Sequence, residues 1–481
     1  MLKRIRTQTA HSVLCYPVAA TIFPTLFPRV QFDRAWELQS IYNELYCVVA
    51  GDEQWIYETI KDLFPVDHFA ADLWEIHEKV KQAGGYVQDI SAGIFRSDYM
   101  LQGGDVEIGL DANCNSSSDL ELKQVEFNTI SCAGGCHASK VVDMHRHLAK
   151  SGVYGSLTDD KSLCSLSSLP SNNNTESLAA SLAEAHNMYG QPKSKVSTET
   201  AVLFVVQPDN FNVADERPIE YALWDQDIPA YRVEWGSDVL KYTSLSDTQE
   251  LLFHPPWRGS QKPVEISVVY LRAGHEPHEY DEQGKEACLR LERSRAIKCP
   301  SLMAHILTFK KVQQALTVPG VLERFLAPEK VAAVRATFVP MYPLDESEAG
   351  QHARSLATDP EHAEDYILKP SLEGGGHNIY GADIPQYLSS IPRSSWSAYV
   401  LMERIPSPSV GNVLMSSERI DSSAVISELG IFGTCLWRKV GGQCDLLRNS
   451  TAGWSLKTKY ADVDEMSVVK GFGCFDTPLL F

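Results

Sequence analysis

The sequence predicts a mixed α/β fold with more than one lobe, and three observations support this. Between about residues 200 and 300, apolar runs of strand length alternate with helical periodicity, which is typical of a parallel sheet covered by helices. The last third alternates apolar strands with glycine-rich turns. A chain of 481 residues exceeds one ordinary hydrophobic core, so we expect two or three lobes.

The first two thirds contain five segments with clear patterns. Residues 32–46 (FDRAWELQSIYNELY) space most of their apolar side chains three to four apart, which predicts an amphipathic helix. Residues 156–178 are rich in serine and asparagine and predict a mobile surface loop. The run AVLFVVQ (201–207) predicts a buried strand, ADERPIEYALWDQ (214–226) a helix, and ISVVYLRAG (266–274) a second buried strand.

The C-terminal third begins with a helical pattern and continues with strands. From residue 306 on, LTFKKVQQALTVPGVLERFL has helical periodicity. The stretches YILKPSLEGGG, AYVLMERI and AVISELGIFGTCLWRK predict strands joined by glycine-rich turns.

Composition excludes several classes of partner. With 43 basic and 62 acidic residues the net charge is −19, which disfavours nucleic acid and anionic membranes as partners. No apolar run approaches the ~20 residues of a membrane span. Eleven scattered cysteines, without a CxxC pair, are typical of reduced thiols in a cytoplasmic protein. The basic N-terminus has the charge order of a secretion signal, but Pro17, Pro24 and Pro28 would break the helix that a signal needs.

Residues 368–381 (LKPSLEGGGHNIYG) are the first candidate for a functional site. Three successive glycines destabilise regular structure and persist where the backbone approaches a ligand closely or moves. Lys369 and Glu373 place a cation and an anion around this loop, which suits a phosphate cover with a metal ligand beside it. The loop lacks the order of a P-loop, and a flexible hairpin turn is the alternative interpretation.

Two other stretches carry carboxylates in strands. In KQVEFNTIS (123–131), Glu126 and Asn128 lie two apart and therefore point from the same face of a strand. Their oxygens suit a hard cation such as Mg²⁺, although an edge strand could also present them to water. In ISELG (426–430), Glu428 lies in an apolar strand, where a carboxylate needs a partner.

Taken together, these stretches resemble the eukaryotic glutathione synthetases in the same order across nearly the whole chain. The matching blocks are IFRSDYM, VEFNTIS, VVYLRAG, FKKVQQAL, LKPSLEGGGHNIYG, VLMERI, SELGIFG and GFGCFD. The resemblance implies an ATP-grasp fold with an inserted parallel α/β substrate-binding domain, a glycine-rich lid and a homodimer. It also implies ligation of γ-glutamylcysteine with glycine, dependent on ATP and Mg²⁺, through an acyl phosphate, to give glutathione, ADP and phosphate.

The resemblance also implies domain limits. Residues 1–200 would be the N-terminal part of the ATP-grasp body, 201–303 the α/β substrate-binding domain, and 304–481 the C-terminal ATP-grasp part. The lid would lie around 369–400 and close over the bound nucleotide.

The resemblance assigns site roles to residues at matching positions. The metal ligands would be Glu126, Asn128 and Glu373. The nucleotide contacts would be Glu126, Lys310, Lys369, Glu373, Gly374, Gly375, Gly376, Asn378, Tyr380, Met402, Glu403, Arg404, Ile405, Glu428, Lys459 and Glu465. The substrate contacts would be Arg96, Ile130, Ser131, Cys132, Ala133, Asn210, Asn212, Glu216, Arg272, His275, Lys457, Val468 and Val469. The catalytic residues would be Arg96, Lys369 and Lys457.

The substrate side departs from the family pattern. Residues 210–212 read Asn-Phe-Asn where the family usually has Glu-Arg-Asn, and Lys457 stands where the family has an arginine for the glycine carboxylate. Met466 and Ser467 replace two glycines of the family's acceptor loop. Two alternatives therefore stay open here: a related ligase that joins another carboxylate and amine, or a non-catalytic nucleotide-binding protein.

Overall fold

The computed structural model describes residues 2–6, 13–104, 108, 120–157, 165–259, 262–371, 377–416, 420–441, 443–466, 468, 471 and 473–481. The strands are β1 (Leu2–Arg6), β2 (Val13–Pro17), β3 (Ala20–Thr21), β4 (Thr25–Phe27), β5 (Ile90–Gln102), β6 (Glu121–Asn128), β7 (Thr200–Val206), β8 (Ala230–Glu234), β9 (Thr243–Leu245), β10 (Leu251–Phe253), β11 (Val264–Arg272), β12 (Ile297–Cys299), β13 (Met341–Pro343), β14 (Tyr366–Pro370), β15 (Ile379–Tyr380), β16 (Tyr399–Glu403), β17 (Val410–Met415), β18 (Ile420–Val440), β19 (Gln443–Tyr460), β20 (Cys474–Asp476) and β21 (Pro478–Leu480).

The helices are α1 (Arg29–Val49), α2 (Glu53–Ile60), α3 (His68–Gln82), α4 (Gly135–Lys150), α5 (Val153–Leu157), α6 (Asn174–Tyr189), α7 (Val213–Trp224), α8 (Ser237–Tyr242), α9 (Glu282–Arg293), α10 (Leu302–Ile306), α11 (Lys310–Thr317), α12 (Pro328–Arg335), α13 (Glu348–Thr358), α14 (Pro360–Ala363) and α15 (Asp383–Ser390).

A large mixed sheet runs through the molecule. Its strands follow the order β17-β3-β20-β19-β18-β5-β12-β11-β10-β9, with β6 beside β5, and β7 and β8 beside β11. The strands β7, β8, β11 and β12 pair in parallel, as the sequence predicted for residues 200–300, whereas β9 and β10 add an antiparallel edge. The parallel part continues into the rest of the sheet through one pairing of β12 with β5.

Helices cover both faces of this sheet, because its strands are apolar on both sides. Strand β11 is buried at every position, as expected for a parallel strand between two helical layers. One core packs α1, α3 and α9 against the sheet, and a second core packs α6 and α7 against its other face. Helix α1 contains the predicted helix 32–46 and extends it at both ends.

A smaller antiparallel sheet stands beside the large one. Its strand order is β13-β16-β14-β15, and it contains two of the predicted C-terminal strands. Helices α13 and α15 cover one face, while α11 contacts β13 and β16 of the small sheet and β6 of the large sheet. The space between the two sheets is therefore framed by α11.

Two predictions of local structure were wrong in part. Residues 156–178 were predicted to be a loop, but α5 ends at Leu157 and α6 begins at Asn174, a fully buried residue. Asn172 and Asn174 in this stretch bond backbone groups elsewhere in the fold at the start of the helix, whereas Asn173 between them is exposed. The helical pattern from residue 306 on is also interrupted: α11 ends at Thr317, before Pro319 and Gly320, and only a 3₁₀ turn follows at Leu322–Arg324.

No helix in the described part of the chain combines the length and apolar character needed to cross a bilayer.

Candidate active site

A cavity of about 400 Å³ opens between the two sheets. Its floor comes from residues of β5, β6, β18 and β19, and its opposite wall from β14 and β16. The antiparallel register of β5 and β6 places Arg96 opposite Asn128 and Asp98 opposite Glu126. Because side chains alternate along a strand, these four polar groups project from the same face of the sheet.

Glu126 and Asn128 lie together, as their spacing predicted. Asn128 Nδ2 donates to Glu126 Oε1 over 3.0 Å and to Asp98 Oδ2 over 3.1 Å. Both amide hydrogens are therefore directed at carboxylates, which leaves Oδ1 as the amide atom that suits a cation. Burial opposes ionisation of Glu126, but Lys310 and Lys369 outweigh burial and hold its pKa well below the usual range.

Two lysines approach this carboxylate from opposite sides. Lys310, at the start of α11, lies 2.8 Å from Glu126 Oε2 through its Nζ. Lys369, near the end of β14, is almost completely buried and donates from Nζ to the carbonyl oxygen of Val125 over 3.1 Å. Burial lowers the pKa of Lys369, and Glu126 opposes that shift. The two ammonium groups form a cationic wall of the cavity. Because both lysines are buried, their attraction for a negatively charged ligand is stronger than it would be in bulk water.

Asp98 is a site residue that sequence reasoning missed. It is fully buried and accepts two hydrogen bonds from Arg96, from Nε over 2.6 Å and from Nη2 over 2.7 Å. Lys457 Nζ lies 3.8 Å from Asp98 and also forms an ion pair with Glu428. A signal was present in IFRSDYM, because arginine and aspartate two apart on a strand share a face.

Glu428 therefore has the partner that its apolar strand required. Lys457 on β19 faces Glu428 on β18 directly in the register of the two strands. Burial lowers the pKa of Lys457, but Asp98 and Glu428 outweigh burial and raise it, so this lysine remains an ammonium.

The rim of the cavity is held by contacts between the two sheets. Arg404 Nη2 donates to Asp464 Oδ1 over 2.9 Å, and Tyr380 Oη donates to Glu465 Oε2 over 3.0 Å. Lys459, which is buried, donates from Nζ to the carbonyl oxygen of Asp464 over 2.7 Å. The segment after β19 thus closes against β15 and β16 around the cavity.

At the other end of the cavity, Ser131 has a positive φ of 51° in the turn that follows β6. Behind it, Arg272 is buried and donates from Nη1 to the carbonyl oxygen of Cys132 over 2.5 Å. Its guanidinium also lies 3.4 Å from Glu216 and 3.5 Å from Asp215. Arg272 therefore holds the backbone of the loop that follows β6 through the Cys132 carbonyl group. The buried carboxylates of Asp215 and Glu216 balance its charge.

Most of the predicted site residues line one cavity. They are Arg96, Glu126, Asn128, Ile130, Ser131, Cys132, Ala133, Asn212, His275, Lys310, Lys369, Asn378, Tyr380, Met402, Glu403, Arg404, Ile405, Glu428, Lys457, Lys459, Glu465 and Val468.

Three predicted substrate contacts do not line it: Asn210, Glu216 and Arg272. Asn210 Nδ2 instead donates to Glu216 Oε2 over 2.6 Å, and neither residue lines the cavity. Glu373, Gly374, Gly375, Gly376 and Val469 lie outside the described residues.

The cavity also contains residues that sequence reasoning did not select. They are Met100, Val125, Gly134, His137, Phe211, Ile367, Pro370, His377, Ile426, Ala461, Val463, Asp464 and Phe475, while Met466 of the predicted acceptor loop also lines the cavity. Most are apolar or lie in loops, and no spacing rule marks such positions in a single sequence.

The whole chain matches a known family model. The model for the eukaryotic glutathione synthase, ATP binding domain, covers residues 1–480. The chain belongs to the eukaryotic glutathione synthases. Glutathione synthetase from Homo sapiens is 33% identical to this family member, over 99% of this chain and 93% of the human protein. The large chain of glutathione synthetase from Schizosaccharomyces pombe is 32% identical, over 95% of this chain and 89% of its own length.

A solved structure supports the same fold. The glutathione synthetase-like effector from Globodera pallida, in its apo form, superimposes with a TM-score of 0.70. It is 19% identical in sequence, and the match covers 97% of this chain and 91% of that structure. The family and the mixed α/β fold that the sequence predicted are both confirmed. As a eukaryotic glutathione synthase, this protein is an ATP-dependent ligase.

Proposed function

We propose that this protein makes glutathione by joining the cysteine carboxylate of γ-glutamylcysteine to the amine of glycine at the expense of ATP. Membership of the glutathione synthase family and the convergence of the cationic groups on one cavity support this proposal. The observation that carries it is the pair of buried lysines, Lys310 and Lys369, beside the Glu126 carboxylate.

The chemistry needs an activated carboxyl group, since a carboxylate resists attack by an amine. In the first step a carboxylate oxygen takes the γ-phosphoryl group of ATP and ADP leaves. In the second step the amine attacks the acyl carbon, phosphate leaves, and the amine loses a proton. Phosphoryl transfer depends mainly on positioning and on neutralising charge. Lys310 and Lys369 would neutralise charge on the phosphates from fixed positions on α11 and β14.

The residues present also fit a magnesium ion. Glu126 offers an ionised carboxylate and Asn128 an amide oxygen, both from β6. We propose that these two residues, together with Glu373, hold Mg²⁺, which when bound neutralises and orients the nucleotide phosphates. The ammonium of Lys310 lies near the same carboxylate and would move toward the phosphates as the ion takes its place.

The nucleotide and the dipeptide would occupy opposite ends of the cavity. We propose that Met402, Glu403, Arg404 and Ile405 face the adenosine, since they lie on β16 and the segment after it at the rim. Arg96 would face the reacting carboxyl group and Lys457 the glycine carboxylate at the floor, where Asp98 lies close to both cations. We further propose, from the family resemblance, a homodimer that acts in the cytoplasm.

The acceptor deserves a direct test because Met466 lines the cavity where relatives are expected to carry glycine. Purified protein is incubated with ATP, Mg²⁺, γ-glutamylcysteine and one amino acid at a time, and phosphate release and product mass are measured. We expect glycine to be the preferred acceptor. If another amino acid turns over at least about tenfold faster than glycine, a difference of about 1.4 kcal/mol in transition-state binding, glutathione synthesis is not the main activity.

A further inference from the structure

A second group of metal-ligating side chains lies away from the cavity, where the start of α2 meets the last turns of α3. Glu53 is the first residue of α2, while His77 and Glu78 lie on α3. One potential ligand atom from each residue lies within 4.8 Å of the other two. The two carboxylates are partly exposed and the imidazole is buried, so a solvent ion could enter from one side.

The imidazole of His77 is oriented toward this group. Only 2% of the residue is exposed, and Nδ1 lies 2.7 Å from Oη of Tyr86. The other nitrogen, Nε2, has no hydrogen-bond partner, although Oε1 of Glu53 lies 3.4 Å away. With Nδ1–H donated to Tyr86, the lone pair on Nε2 lies beside the Glu53 carboxylate, an arrangement that a bound cation would stabilise.

A lysine now supplies positive charge at this position. Lys81 Nζ lies 2.7 Å from Glu53 Oε1 and 3.5 Å from Glu78 Oε1. Its side chain is 41% exposed, so it can turn into water without a large loss of packing. One ammonium balances two carboxylates only partly and leaves Nε2 of His77 without a hydrogen bond.

We propose that Glu53, His77 and Glu78 bind a divalent first-row transition-metal ion, with Zn²⁺ as the preferred ion, and that Lys81 is displaced when it binds. One imidazole and two carboxylates are donors that zinc accepts, whereas Mg²⁺ and Ca²⁺ prefer oxygen ligands alone. Three protein ligands leave a fourth position for water. The contact of Nδ1 with Tyr86 would orient the ring, the role that a carboxylate, a carbonyl group or water plays for most metal-bound histidines. The ion would join α2 to α3.

Zinc binding to three variants tests this site. Calorimetric titration with Zn²⁺, in excess Mg²⁺ to saturate the cavity carboxylates, should give one ion per wild-type chain. Glu78→Gln should weaken binding at least about tenfold, since it removes a ligand. Tyr86→Phe should weaken it about tenfold, because the ring loses its orienting partner. Lys81→Gln should tighten it several-fold by removing the competing ammonium.

Lys79→Gln is the matched control, because Lys79 lies on the same helix and pairs with Glu75 instead. Co²⁺ serves as a spectroscopic probe: absorption typical of nitrogen and oxygen ligands is expected, without the sulfur charge-transfer band of a cysteine site. Unchanged zinc affinity in both Glu78→Gln and Lys81→Gln would overturn the proposal and leave an ion-pair cluster only. Both residues are partly exposed and lie outside the cavity, so ligase activity in each variant confirms folding independently.

Discussion

Asp98 holds together residues from three separate parts of the chain, which makes it the best place to test the site at the scale of single residues. Its carboxylate binds Arg96 on its own strand, Asn128 on β6 and Lys457 on β19. Strand spacing pointed to Asn128, and the family resemblance pointed to Lys457, but neither identified Asp98, the group that contacts both. Only the folded chain shows that two cations, Arg96 and Lys457, and one amide, Asn128, share the Asp98 carboxylate.

Replacing Asp98 should damage both activity and stability. In Asp98→Asn the guanidinium of Arg96 and the ammonium of Lys457 lose a buried counter-charge, and removal of one partner of a buried pair typically costs about 3 kcal/mol. We expect kcat/KM to fall about 100-fold and the free energy of unfolding to fall by a similar few kcal/mol. Urea unfolding and steady-state kinetics measure the two effects. Ser97→Ala, on the opposite face of β5, is the control and should change neither by much.

Lys310 tests the cationic wall. Lys310→Met removes the ammonium that lies 2.8 Å from Glu126, so the nucleotide phosphates should lose charge stabilisation in the transition state. We expect kcat to fall about 100-fold or more, by analogy with the loss of one preorganised donor. Lys311→Met is the matched control, because the next lysine on α11 pairs with Asp345 instead. Equal losses in the two variants would contradict the special role of Lys310.

At the scale of elements, the position of α6 explains why the asparagine-rich stretch was misread. Asn174 Nδ2 donates to the carbonyl oxygens of Trp454 and Gly135, over 2.8 and 3.0 Å, and Asn172 donates to Trp454 as well. These side chains satisfy backbone groups of β19 from across the core. A polar segment without periodicity normally predicts a loop, and no local signal shows that its partners lie far along the chain.

A strand glycine makes this contact possible. A Cβ on Gly453 would lie 2.1 Å from Oδ1 of Asn174 and 2.7 Å from Oδ1 of Asn172, so Gly453→Ala must displace these two side chains from their hydrogen bonds. We expect a loss of about 1–3 kcal/mol in the free energy of unfolding, as for other overpacked sites. Chemical denaturation measures it. Gly411→Ala on β17 is the control, since its Cβ would meet nothing within 4 Å, and it should be neutral or slightly stabilising.

At the scale of the whole molecule, the parallel strands and the strands of the active site form one sheet because β12 lies between β11 and β5. The three-residue strand β12 pairs with β11 on one side, and Lys298 pairs with Ser91 of β5 on the other. The sequence predicted the long strands from their apolar runs, but a strand this short gives no usable pattern. The domain boundary that the family resemblance implies between residues 303 and 304 remains a prediction.

This junction contains a buried acid and a buried base whose titration should be visible in stability. Burial raises the pKa of Glu292 to about 7, with Lys298 opposing, and burial lowers the pKa of Lys298 to about 8, with Glu292 opposing. Between pH 4.5 and 7 the unfolded state loses the Glu292 proton first, so stability falls as pH rises. Between pH 8 and 10.5 the folded state loses the Lys298 proton first, so stability rises with pH.

The contribution of the pair to stability is therefore lowest between about pH 7 and 8. In the double variant Glu292→Gln, Lys298→Met we expect a flatter profile of unfolding free energy against pH, with a change of at most about 3 kcal/mol on each side. Denaturant unfolding from pH 5 to 10 measures the difference from wild type. Parallel profiles for the two proteins would show that the pair titrates alike in the folded and unfolded states.

The dependence of the cavity on β19 has a consequence for biosynthesis. Lys457, which pairs with Asp98 and Glu428, follows both carboxylates in the chain and therefore leaves the ribosome after them. Until then Glu428 lacks its ion-pair partner, and β18, the longest strand described, lacks the neighbour that β19 provides along one edge. A growing chain without β19 therefore lacks part of the ligase site, and the unpaired edge of β18 favours aggregation until β19 pairs with it.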